Sequence, residues 1–138
     1  MASYDKYYPK LRLFEGGWVN NPNDSGGETF MGITRKNHPT WVGWKKVDAY
    51  KAKAGFPGTA NRDSELRDLV QKFYKVEYWD PIRADEIKSQ KIAEQIVDTG
   101  VNMGIVWAIR FAYRVMGMAE ERKISDKLID KLNNYDTL

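Results

Sequence analysis

The sequence predicts a mainly helical fold with one small β element near the N-terminus. Two observations lead there. From residue 64 onward, apolar residues return at helical spacing in successive runs with short breaks between them. Between residues 16 and 34, Gly, Asn, Pro, Asp and Ser crowd the chain, and the apolar pieces among them are long enough only for strands. The 138 residues amount to one ordinary domain, and 42% hydrophobic with 30% charged residues is the balance of a globular chain with a core of its own.

The elements follow in order. Tyr4, Tyr7, Tyr8, Leu11 and Phe14 fall on one helical face. Pro9 interrupts them, and proline is best tolerated in a first turn, so the regular helix is expected to start near it. The run stops at Glu15-Gly16-Gly17, and paired glycines after a periodic run mark a helix C-terminus, which sets Glu15 at the helix end. Asn20 to Gly27 reads as turns and loop, flanked by short strands around Trp18-Val19 and from Thr29 to Ile33. Thr34 is a candidate cap for a following helix, and a short helical stretch is expected around Val47 to Ala54, before Gly55-Phe56-Pro57-Gly58. Asp63 or Ser64 caps a stronger helix with Leu66, Leu69, Val70, Phe73 and Tyr74 in phase, ending at Tyr78-Trp79-Asp80-Pro81. Further helices are expected from Ser89 to Asn102, from Ile105 to Met116 and from Ser125 to Asn133. The second of these is apolar nearly all round (Val106, Ile109, Phe111, Ala112, Val115), the pattern of a central helix.

Composition removes several function classes. There are no cysteines, so disulfides and thiolate metal sites are excluded. A single histidine, His38, argues against a histidine metal centre and against a Ser-His-Asp triad, and no metal or organic cofactor is expected. A net charge of +3 suits an anionic partner. Lys45, Lys46, Lys51 and Lys53 form a basic surface patch, but the concentrated stripe of a nucleic-acid binder is missing, so nucleic acid is not an expected partner. Met1 to Lys6 shows no apolar run after a basic start, and no stretch approaches the ~18 apolar residues of a membrane span. The expectation is a protein made in the cytoplasm, without stable membrane insertion, that meets an external substrate after release or export by other means. Five Trp and eight Tyr serve first as core, while Trp41, Trp44, Tyr78 and Trp79 are also candidates to stack on sugar rings.

Chemistry concentrates in Glu15-Gly-Gly-Trp-Val-Asn20 and Asp24-Ser-Gly-Gly-Glu-Thr29. A carboxylic acid at a helix end, beside Phe14 and Trp18, is disposed to stay protonated, since desolvation and the negative helix terminus both raise its pKa. Asp24, nine residues on in a polar loop, is disposed to stay ionised. Such a pair suits glycosidic bond cleavage, which needs a proton donor on the leaving oxygen and usually a second carboxylate for water or for the cationic centre. Thr29 can hold the water, and Glu28 competes with Asp24 for the second role. Each residue also fits a structural reading: Glu-Gly-Gly as a plain helix stop, Asp24 as a turn former.

This motif, with Gly32-Ile33-Thr34 after it, closely resembles the glycoside hydrolase 108 family, N-acetylmuramidases of which some are known as secretion activators. The family's signature is an EGGY-type motif with an essential Glu; Trp18 stands here in place of the Tyr. Asp98-Thr-Gly-Val-Asn102-Met-Gly104 is similar to its D-x-x-V-N-x-G segment. The resemblance implies a lysozyme-like α+β fold and hydrolysis of the β-1,4 bond between N-acetylmuramic acid and N-acetylglucosamine in peptidoglycan strands. It implies Glu15 as general acid, with Asp24 and Thr29 positioning water for inversion, which needs carboxyl groups ~6.5–9.5 Å apart. The resemblance implies that Asn102 faces the cleft, and Trp18, Glu28 and Tyr78 are the other expected substrate contacts. Residues 1–104 would form the catalytic region. Residues 105–138 would form a helical part of the same domain, similar to the first half of a peptidoglycan-binding segment, with Glu121-Arg122 where the family has Asp-Gly. A non-catalytic wall-binding or secretion-associated protein on the same fold is the alternative.

Overall fold

Helix α1 spans Tyr4–Arg12 and contains Pro9, so it begins earlier than the proline suggests. Proline removes one hydrogen bond from a helix interior. Here the apolar stripe outweighs that loss, since Tyr4, Tyr7, Tyr8 and Leu11 are all buried. The structure is a computed structural model that describes residues 1–12, 16–23 and 27–135. The chain forms two compact units, one of Met1–Tyr7 with Tyr74–Leu138, the other of Tyr8–Phe73.

The second unit carries a three-stranded antiparallel sheet in the order β1 (Trp18–Asn20), β2 (Glu28–Phe30), β3 (Ile33–Thr34). The sequence reads Thr29 to Ile33 as a single strand, whereas the structure folds it into a hairpin. Met31 and Gly32 both have positive φ (47° and 83°), the backbone of a two-residue turn matched to strand twist. Thr34 does not cap a helix; it ends β3 opposite Thr29. Helix α2 covers Gly43–Lys51, earlier than the Val47–Ala54 stretch expected. Aromatic packing sets this start. The Trp44 indole N–H donates to the His38 carbonyl at 2.8 Å, and Trp41 lies over Gly43 so closely that a Cβ there would come within 2.3 Å of its ring. Phe30 of β2 joins Trp41, Trp44, Phe73 and His38 in one ring cluster. A one-turn helix α3 (Gly58–Asn61) follows, then α4 (Ser64–Tyr74). Asp63 rather than Ser64 caps α4, its carboxylate accepting from the Leu66 N–H at 2.8 Å.

In the first unit, a π-helical turn spans Lys75–Trp79 and a 3₁₀ turn spans Ala84–Glu86. Trp79 is fully buried against Tyr4 and Tyr7, and its indole donates to Asp85 at 2.8 Å. Helices α5 (Gln90–Met103), α6 (Ile105–Val115) and α7 (Asp126–Asn133) complete the unit. Ser89 and Ser125 cap α5 and α7, the residues at which the expected helices begin. Gly100 lets α6 approach α5, since a Cβ there would lie 3.0 Å from Ile105. Tyr113 accepts the Ser125 N–H at 2.8 Å and donates to the Lys123 carbonyl at 2.5 Å, fixing the turn before α7. One expectation fails here. Helix α6 is not central all round: Ala108, Ile109, Ala112 and Tyr113 are buried, while Val106, Trp107, Phe111 and Val115 are exposed. Two arginines on that outer side, Arg110 and Arg114, lie over Trp107. The charged segment Glu120 to Lys123 is exposed, with Glu120 bridging both arginines.

Candidate active site

Antiparallel register sorts the sheet residues onto two faces. Trp18 pairs with Phe30, Val19 with Thr29 and Asn20 with Glu28, while Phe30 pairs with Ile33 and Thr29 with Thr34. Because side chains alternate along a strand, Trp18, Glu28, Phe30 and Ile33 share one face, and Val19, Thr29 and Thr34 share the other. The Thr29 hydroxyl lies 3.5 Å from the Val19 carbonyl, a long hydrogen bond.

On the first face, the Glu28 carboxylate is the organising group. Its Oε2 accepts from the Trp18 indole at 2.7 Å and pairs with Lys51, and its Oε1 pairs with Arg35 at 3.1 Å. Arg35 in turn forks onto both oxygens of Asp48 at 2.8 Å and lies 5.0 Å from the Trp44 ring centre. Lys51 reaches Asp48 at 3.3 Å. Burial acts to raise the Glu28 carboxyl's pKa. The hydrogen bonds from Lys51, Trp18 and Arg35 outweigh it and hold the group below the usual carboxylate range. Glu28 is therefore ionised at neutral pH, with both oxygens engaged. Trp18 is fixed on three sides: its backbone N–H donates to Asn61 at 2.9 Å, its ring meets Phe56 edge-on at 4.7 Å, and Lys51 lies 5.8 Å from its centre. A Cβ at Gly17 would collide with Asn61 at 2.6 Å, so glycine is needed for that approach.

Glu15 and Asp24 lie outside the described residues. Of the remaining candidates, Trp18 and Glu28 come together directly, and Thr29 is their neighbour on the opposite face. Tyr78 and Asn102 belong to the other unit. Tyr78 is half-buried and stacks on Tyr74 with ring centres 5.7 Å apart. Asn102 is exposed in the last turn of α5, its amide donating to the Asp98 carbonyl at 3.0 Å. Trp44 and Trp79 are core residues and offer no face to a sugar. The expected lysine patch is partly neutralised, since Lys46 pairs with Asp63 and Glu65, and Lys51 with Glu28 and Asp48. Sequence reasoning missed Arg35, Asp48 and Asn61. Only the i,i+3 spacing of Asp48 and Lys51 hinted at a pair, because the other contacts join segments far apart in the chain. Among the described residues no cluster of three or more His, Asp or Glu is arranged to hold a metal, and no helix is long and apolar enough to cross a membrane.

The sequence profile of the glycosyl hydrolase 108 family matches residues 9–104. The chain belongs to the glycosyl hydrolase 108 family. All seven candidate site residues lie within the matched span, from Glu15 to Asn102. A glycosyl hydrolase acts on a glycan, so membership sets the reaction class and the general kind of substrate. The solved structure of SagA from Brucella abortus is similar to this chain, with a TM-score of 0.67 and 20% identity over 96% of this chain and 70% of that one. That likeness shows the lysozyme-like α+β fold. No curated protein sequence matches significantly.

Proposed function

We propose that the protein is an N-acetylmuramidase that cleaves the β-1,4 bond between N-acetylmuramic acid and N-acetylglucosamine in peptidoglycan. The observation that carries this reading is the family match across Glu15-Gly-Gly-Trp18 and Asp24-Ser-Gly-Gly-Glu28-Thr29. Glu15 protonates the leaving oxygen. Asp24 acts as the base that draws a proton from water, with the Thr29 hydroxyl as second partner of that water, and attack from the opposite side of the ring inverts the anomeric centre. The state of Glu28 supports Asp24 over Glu28 in the second role. A carboxylate already held by an indole, a lysine and an arginine is a poor base, and rotating it toward substrate would leave Lys51 and Arg35 short of a partner. Glu28 instead steadies Trp18, whose indole edge is thereby fixed as one wall for a sugar. Tyr78 and Asn102 are proposed as further substrate contacts. The substrate places the enzyme's work at the cell wall, after release or export.

Glu15→Gln tests the assignment, because glutamine keeps the shape and removes the transferable proton. Clearing of purified peptidoglycan should fall about 10²–10⁴-fold, the usual contribution of a general acid. Equal clearing by both proteins would remove Glu15 from the mechanism. Binding without clearing by either would favour a wall-binding protein.

A further inference from the structure

The cluster around Glu28 reaches further than the sheet it braces. Glu28 and Thr29 are consecutive on β2, and strand geometry sends them to opposite faces. Fixing the Glu28 carboxylate therefore fixes the strand's rotation about its own axis, and with it the direction of the Thr29 hydroxyl. Backbone pairing is a weak constraint here, since β1 and β2 have three residues each and β3 has two. Side chains supply the rest. Arg35 and Lys51 each bind Glu28 and each bind Asp48, at 2.8 and 3.3 Å for the second contact. The Arg35 backbone N–H also donates to the Glu28 carbonyl at 2.9 Å, so residue 28 is held by main chain and side chain together. Lys51 is the last residue of α2, which ties the strand to a helix anchored by buried Trp44 and Val47.

We propose that Arg35 and Lys51 are positioning residues for the glycosidase reaction: holding Glu28 between them, they set β2 so that Thr29 meets the attacking water at a fixed place. This rests on the reading of Thr29 given above. Neither cation touches substrate; each acts through Glu28 and the strand.

The test is a double-mutant cycle on purified peptidoglycan with the full chain, at a temperature where thermal melts show every variant folded. Lys51→Met and Arg35→Gln should each lower kcat about 10- to 100-fold, the scale expected for misplacing a positioned group, with KM changed less than about threefold. Lys51→Arg, which keeps the charge, should recover most of the rate. In a Thr29→Val background, Lys51→Met should cost little more, because the group it positions is already gone. Losses that multiply independently, or a Lys51→Arg protein no better than Lys51→Met, would overturn the proposal while leaving the muramidase reading intact. Wild-type protein that leaves peptidoglycan uncut would sink the reading itself, and the proposal with it.

Discussion

Asp48 and Glu28 are both held below the usual carboxylate range and share Arg35 and Lys51 as partners, and this gives the molecule a defined response to acid. The Arg35 guanidinium beside Asp48 draws that carboxyl down to about 2, with Lys51 adding to the effect, and Glu28 is shifted in the same direction. A carboxyl whose folded pKa lies below its unfolded value contributes stability that is fully present above about pH 4 and is lost as pH falls through the folded value. Melting temperature should therefore drop between about pH 4 and pH 2. In Arg35→Gln the drop should be shallower over the same window, whatever the variant's stability at neutral pH. Parallel pH profiles for the two proteins would show that the pair does not couple to folding. Beyond the i,i+3 spacing of Asp48 and Lys51, little of this was legible in the sequence. Trp18, Glu28 and Thr29 stood out because they sit in a motif, whereas Arg35 and Asp48 are ordinary charged residues until the fold brings them within hydrogen-bonding distance. The side of β2 on which each residue lies was also hidden, since it depends on a register that the turn at Met31-Gly32 sets.

At the level of single elements, the sequence was most readable where the rule is local. Apolar periodicity placed the starts of α5 and α7 at Ser89 and Ser125, and the structure shows both serines capping, Ser89 accepting from the Ile92 N–H and Ser125 from the Leu128 N–H. Ser89→Ala and Ser125→Ala should each cost about 1 kcal/mol by denaturant titration. Pro9 and Thr34 misled for the opposite reason: each has a strong local preference that burial and strand pairing overrode. Helix α6 shows how far composition can mislead about position. Its buried side carries Ala108, Ile109, Ala112 and Tyr113, with Ile105 and Ala108 nearest Gly100 of α5, so Val106, Trp107, Phe111 and Val115 are left on the exposed side. Ile109→Ala, at a position 4% exposed, should cost about 2–4 kcal/mol. Val106→Ser, at a position 53% exposed, should stay within about 0.5 kcal/mol. Similar losses at the two positions would contradict the facing described for this helix.

For the molecule as a whole, a mainly helical chain with a small N-terminal sheet was legible from periodicity and from the clustering of turn residues, and the family was legible from a handful of residues at fixed spacing. Motif residues are readable in this way because glycosidic chemistry requires particular side chains at particular distances, while the scaffold needs only volume and polarity in the right places. The division into Tyr8–Phe73 and the remainder was not readable, since it cuts within two helices rather than at a linker. The same two-unit chain carries Trp18, Glu28 and Thr29 on one unit and Tyr78 and Asn102 on the other. The central claim is that Glu15 delivers a proton to the glycosidic oxygen of peptidoglycan, and mass analysis of the fragments released from purified peptidoglycan tests it most directly. Wild-type protein should release muropeptides ending in reducing N-acetylmuramic acid, and Glu15→Gln, equally folded, should release almost none. The same fragments from both proteins, or fragments cut at peptide bonds instead of sugar linkages, would contradict it.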